Sequence, residues 1–181
     1  SNLRTLQGPL RVEGASKRDP RSQFAALCFR RKKKNVEILL ISSRDSERWI
    51  IPKGWPMDGK TPAEAAGIEA WEEAGVRGTT LDLCVGLYSY SKEIDGADPV
   101  PCIVSVFPVE VKSLADKYPE AGERRRKWFS AKKAASKVRE PDLKAILKGF
   151  LPHHLQRKVY FVLLHLDFLE VDLQGECFLF L

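Results

Sequence analysis

Residues 61–76, TPAEAAGIEAWEEAGV, carry a complete set of helix boundary signals around three clustered glutamates. Thr61 and Glu64 fit a capping box, Pro62 takes the first helical position where its missing N–H costs nothing, and Gly75 supplies the stop. The pattern predicts a helix from Pro62 to Ala74. Residues three and four apart share a helix face, so Glu69, Glu72 and Glu73 project together, with small Ala65 and Ala66 near the same side. Ala63, Gly67, Ala70, Trp71 and Ala74 form the other side, a low surface with one large anchor suited to packing on a sheet. Nothing cationic stands at helix spacings from the glutamates. A bound divalent cation is the simplest compensation, because oxygen-ligated Mg²⁺ or Mn²⁺ favours carboxylates and bridges to phosphates. A solvated acidic face is the ordinary alternative.

The runs around this helix read mainly as strands. SQFAALCFR and NVEILLISSR flank a basic turn, and RWIIPKGW is a short strand entering a Pro/Gly loop. Beyond the helix, LDLCVGLYSYSK and VPCIVSVFPVEV read as strands joined by EIDGADP. LADKYPEAGERRR is a loop leading into KWFS, AKKAASKV a second helix, and EPDLKAILKGF a third, with Leu143, Ile146, Leu147 and Phe150 at helical spacing. Strands interleaved with helices predict a mixed-sheet α/β (α+β) layered domain. The 181 residues divide into a polar arm (1–20), this domain (21–150) and an extension of open structure (151–181). In the extension Asp167, Glu170, Asp172 and Glu176 interrupt the apolar run, which therefore lacks the ~20 clean residues of a membrane span. It reads instead as a paired strand or a docked helix, on this chain or another, leaving monomer and homodimer both open.

Lys and Arg number 30 against 24 Asp and Glu, a net charge of +6. They concentrate in FRRKKKN and GERRRKWF, which directs attention to anionic ligands, although a solvated turn is the better explanation of Arg30 to Lys34. The four cysteines form no CxxC pair and sit mostly in apolar surroundings, the pattern of reduced structural thiols in a cytoplasmic protein. All three histidines follow residue 152, so a His-based triad or His-rich metal site is not expected in the main domain.

The glycine loop ahead of the helix adds specificity. PKGWPMDGKTPAEAAGIEAWEEAGV resembles the Nudix box, G-x5-E-x7-R-E-U-x-E-E-x-G-U with U a bulky apolar residue. Gly54, Glu69, Glu72, Glu73, Gly75 and Val76 match without a gap. LLISSRDSERWIIPKGWPM before the box and ERRRKWFSAKKAA after it are similar to the branch containing diphosphoinositol-polyphosphate and dinucleoside-polyphosphate hydrolases. The resemblance covers about residues 20 to 150 and implies the Nudix α/β/α sandwich and hydrolysis at a P–O–P bridge. Two positions depart from the pattern: Lys60 stands where it asks for Glu, and Ile68 where it asks for Arg. A third, apolar in most members, is the small Ala70. The family's loop Glu and Arg are thought to fix the loop and orient the catalytic glutamate.

By resemblance, Mg²⁺ or Mn²⁺ would be held by Glu69, Glu72, Glu73 and the Gly54 carbonyl and would acidify an attacking water. Glu69 or a loop acid, Glu120 or Glu123, would serve as general base. Arg44 and Lys53 match basic positions near the phosphates, and Arg124, Arg125 and Arg126 add arginine forks suited to phosphate. The expected substrate is a small nucleotide or polyphosphate. Two other readings stand beside it: a catalytically weak nucleotide-sensing module, suggested by Lys60 and Ile68, and an RNA 5′-end pyrophosphohydrolase, suggested by the basic runs. No base-stacking platform resembling an RNA-binding surface supports the last.

Overall fold

The computed structural model describes residues 21–33, 35–44, 46–94, 97–152 and 155. The expected arm (1–20) and most of the extension lie outside the described residues. The chain divides into two compact units, Ser1–Gly149 and Phe150–Leu181, and every element below belongs to the first.

The elements run β1 (Arg21–Lys32), β2 (Asn35–Ser42), β3 (Trp49–Ile50), β4 (Lys53–Gly54), α1 (Pro62–Ala74), β5 (Val76–Thr80), β6 (Gly86–Ile94), β7 (Ala97–Leu114), β8 (Arg126–Ser130), α2 (Ala131–Lys137) and α3 (Pro141–Gly149). The sheet follows the path β3–β2–β1–β7–β5, with β4 added to β1, β6 to β7 and β8 to β2. β1 and β7 pair in parallel, from Arg21 opposite Cys102 to Phe29 opposite Glu110, while their other partners run antiparallel. The sheet is therefore mixed, as expected.

Strand side chains alternate between faces, and here both faces are buried. Ala26 and Cys28 of β1, Leu39 and Ile41 of β2, and Phe107 and Val109 of β7 share a core with Ala63, Ala66, Ala70 and Ala74 of α1. Their neighbours Leu27, Phe29, Ile38, Leu40 and Val106 face the other way and are also fully buried. In α3, Leu143 and Leu147 are buried as their spacing predicts. An α/β/α sandwich results.

Three details differ from the sequence reading. Trp71 does not anchor α1 on the sheet. Four alanines at positions 63, 66, 70 and 74 bring the helix too close for an indole, so Trp71 stays half-buried beneath the Arg77 guanidinium, 5.4 Å from its ring centre. Strand β5 was not foreseen, because VRGTT is mostly exposed and follows the helix stop directly. At Gly78 it shifts register against β7, and a Cβ there would collide with the Glu110 carbonyl, so only glycine allows the approach. Finally, the expected strand over 81–92 starts only at Gly86. Residues 81–85 carry the chain from one part of β7 to another, tied by the Leu81 and Val85 N–H groups to the carbonyls of Pro108 and Val106.

Cys28 and Cys102 are buried free thiols and Cys84 an exposed one, while Cys177 lies outside the described residues. Among the described residues no helix is long and apolar enough to cross a membrane.

Candidate active site

Helix α1 forms as its local signals require. The Thr61 hydroxyl accepts from the Glu64 N–H at 3.2 Å, the Thr61 N–H donates to the Glu64 carboxylate at 2.8 Å, and Gly75 closes the helix at φ 62°. Its last turns carry Glu69, Glu72 and Glu73 to one wall of a cavity of about 620 Å³. Strand β4 forms the adjoining wall. Glu69 lies directly over Gly54, where any Cβ would collide with its carboxyl group, so the first glycine of the motif is a steric requirement of this carboxylate.

The three glutamates are held differently. Glu73 is buried, its Oε2 accepting from the Lys53 backbone N–H at 2.9 Å and its Oε1 from Arg124 Nη2 at 2.5 Å. Burial raises its pKa against the opposing pull of Arg124 and Lys53. Glu69 is pushed up to about 7, first by burial and then by Glu73, Glu72 and Glu120. Glu120 reaches the same cavity from the loop between β7 and β8, its N–H bonded to the Glu72 carbonyl at 3.1 Å. Four carboxylates thus line one cavity.

The opposite charge gathers nearby. Lys53, Arg48 and Lys92 line the cavity, and burial, with further lowering from Arg48, Arg124 and Lys92, depresses the Lys53 pKa. Lys53 Nζ sits 5.2 Å from the Tyr90 ring centre, and Lys92 Nζ 4.7 Å from that of Trp55. Arg48 is pinned by Glu140 at 2.8 Å. Arg48 and Lys92 were not singled out in the sequence. The period-two placement of Tyr90 and Lys92 on one face of β6 was the available signal for Lys92, whereas Arg48 depends on Glu140, which is 92 residues away.

The remaining predicted residues separate. Arg44, exposed, lines the cavity but is within 3.7 Å of Glu120 and 3.5 Å of Glu123. Arg124 lines it with its side chain only 5% exposed and its donors directed at protein groups. Arg126 is not among the cavity residues. Its Nη1 donates to the carbonyls of Ala74 and Ala115 at 2.9 and 2.8 Å, closing the C-terminal end of α1. Lys60 is exposed beside the capping box and Ile68 half-buried, neither lining the cavity.

The donor set fits a hard cation: carboxylate oxygens, a glycine loop shaped around one of them, and burial beside three further carboxylates, which together push the Glu69 pKa upward. The side chains do not form a finished cage. Among the described residues no three His, Cys, Asp or Glu groups are already gathered as metal ligands.

Comparison with known proteins gives the family. Nudix hydrolase 16, mitochondrial, of Arabidopsis thaliana is 33% identical over 130 residues, covering 70% of this chain and 72% of its own. Diphosphoinositol polyphosphate phosphohydrolase 3-alpha of Homo sapiens is 32% identical over 116 residues, covering 63% and 66%. The chain spans only 60% of another curated relative, Nudix hydrolase 13, mitochondrial, of Arabidopsis thaliana. Among solved structures, the C. elegans Ap4A hydrolase superposes with a TM-score of 0.52 at 18% identity, over 72% of this chain and 95% of that one, a likeness of fold. Residues 19–153 match the NUDIX domain, and with the glycine loop and glutamate helix in place the chain belongs to the Nudix hydrolase family.

Proposed function

We propose that this protein is a divalent-metal-dependent pyrophosphohydrolase acting on a small polyphosphate, of the dinucleoside-polyphosphate or diphosphoinositol-polyphosphate kind. The observation that carries the reading is one cavity lined both by a carboxylate cluster, Glu69, Glu72, Glu73 and Glu120, and by the cations Arg48, Lys53 and Lys92. Names of the relatives point to the same substrate classes.

Glu69, Glu72, Glu73 and the Gly54 carbonyl would hold Mg²⁺ or Mn²⁺, which when bound neutralises diphosphate charge and acidifies water. Lys53, Arg48 and Lys92 bind the flanking phosphates, and the crowding of like charge around Lys53 is relieved when a polyanion enters. Trp55 and Tyr90 offer apolar surface beside these cations. Glu69 or Glu120, both at the cavity wall, takes the proton of the attacking water as general base. The water oxygen bonds to phosphorus as the bridging P–O bond breaks, and the leaving phosphate takes the bridging oxygen with the bond's electron pair, its charge met by the lining cations. The free thiols Cys28, Cys84 and Cys102 favour a reducing compartment such as the cytoplasm as the place of action.

The test is an activity screen with Mg²⁺ and Mn²⁺ over dinucleoside polyphosphates, diphosphoinositol polyphosphates, nucleoside diphosphate sugars and 5′-triphosphorylated RNA. Metal-dependent phosphate release from the first two classes is expected. Tight binding without turnover in any arm would instead support a sensing module. Preferential turnover of RNA with a steep salt dependence would move the substrate assignment to RNA ends.

A further inference from the structure

Helix α1 carries no basic residue in its last turn. The cation that meets its glutamates comes from 51 residues further along the chain. Arg124 leaves the loop before β8 and directs its guanidinium to three places. Nη2 donates to Glu73 Oε1 at 2.5 Å, Nε to Glu120 Oε2 at 2.6 Å, and Nη1 to the Ser42 carbonyl at 3.2 Å. The loop itself is tied to the same turn of α1. The N–H of Glu120 donates to the Glu72 carbonyl at 3.1 Å, and that of Ala115 to the Gly75 carbonyl at 2.8 Å.

The geometry points to Arg124 as a positioning residue for the metal-binding glutamates, not a ligand of the substrate phosphates. Its planar fork joins α1, the end of β2 and the β7–β8 loop in one set of charge-assisted bonds. Glu73 receives one donor on each oxygen, from Arg124 and from the Lys53 N–H, and keeps the remaining lone pairs in a fixed orientation at the cavity wall. A guanidinium so engaged and buried has little left to offer an incoming phosphate. Removing it leaves a buried carboxylate without its charged partner, the costly way to break such a pair.

The inference rests on the metal-dependent reading above, and one experiment separates the two. Mn²⁺ affinity is measured by calorimetry on the full chain, for the wild type, Arg124→Gln and Arg124→Lys, alongside kcat and KM at saturating Mn²⁺. The expected result is a rise in the Mn²⁺ dissociation constant of about 10–100-fold in Arg124→Gln, the usual effect of losing a group that orients a metal ligand. Arg124→Lys keeps the charge but loses the three-way fork, so its Mn²⁺ affinity also falls, while KM in both variants stays within about twofold once metal is saturating. Unchanged Mn²⁺ affinity with a KM raised about tenfold or more would make Arg124 a substrate ligand and overturn the inference alone. If Arg124→Gln does not fold, as judged by circular dichroism, Arg124→Lys decides, and wild-type Mn²⁺ affinity in that variant overturns the inference. A wild-type protein that binds no Mn²⁺ removes the metal-dependent reading and this inference with it.

Discussion

The two ends of helix α1 are built in opposite ways. At the N-terminal end, Thr61 and Glu64 satisfy each other's backbone groups three residues apart, in water, with Lys60 exposed beside them. At the C-terminal end, Glu73 is buried and depends on Lys53, 20 residues before it, and Arg124, 51 after it. Local bonds make the helix, and distant ones make it a site. Each end can therefore be disturbed with little effect on the other.

The largest expected effect is at the site end. Glu69→Gln should lower kcat by about 10²–10⁴-fold, the usual contribution of a positioned proton acceptor, while circular dichroism stays that of the wild type. Glu64→Gln, five residues earlier, should leave kcat within about twofold, because Glu64 serves only the cap. Initial rates at saturating Mg²⁺ compare the two. Near-wild-type turnover in Glu69→Gln would deny that the carboxylate cluster does the chemistry. Gly54→Ala comes next. The added methyl must displace the Glu69 carboxyl, and overpacking of this kind costs about 1–3 kcal/mol, readable as a lower urea midpoint together with reduced turnover.

The same contrast explains what could be read in the sequence. The helix, its caps, the glycine loop and the position of the glutamates follow short-range rules, and the sheet strands announce themselves as apolar runs. Pairing order and the electrostatics of the cavity do not. Arg124 and Arg126 are two residues apart in one basic run, yet one braces Glu73 inside the cavity and the other holds the carbonyls of Ala74 and Ala115 outside it. Composition cannot separate them, because only the path of the β7–β8 loop decides which carbonyl or carboxylate each guanidinium meets. Trp71 was misplaced for a related reason. A large apolar residue signals burial, but here four alanines set the helix-to-sheet distance first. Arg48 stayed unread because its partner Glu140 lies near the far end of the domain.

A smaller effect isolates the N-terminal end. Thr61→Ala removes the side-chain acceptor of the capping box, at a cost of about 1 kcal/mol in stability. Thr61 does not line the cavity, so kcat and KM should stay within about twofold of wild type. Chemical denaturation and steady-state rates on one preparation check both halves. A large fall in kcat without loss of stability would show that the cap is coupled to the site after all.

The smallest effect has opposite signs at the two ends, which makes it a sharp test in metal-free protein. Bonding from the Thr61 backbone, chiefly, lowers the Glu64 pKa below its ordinary value. The folded state therefore binds that proton less tightly than the unfolded state, and the stabilisation from this group is lost as pH falls. Glu69 is the reverse, raised by burial from 4.5 to about 7. Between those values the folded protein holds a proton that the unfolded chain has released. The stabilisation is complete below pH ~4.5 and drains away as pH rises through ~7. With EDTA present, thermal midpoints should therefore fall across pH 5 to 7.5 in the wild type, and Glu69→Gln should flatten this slope. Glu64→Gln should leave the slope in that range intact and change only the acid limb. Partial exposure of Glu69 keeps the effect modest, so its sign and its reduction in Glu69→Gln are the readouts. Glu73, also raised by burial at this end, leaves a residual slope of the same sign, so a slope undiminished in Glu69→Gln would show that Glu69 does not carry the proton.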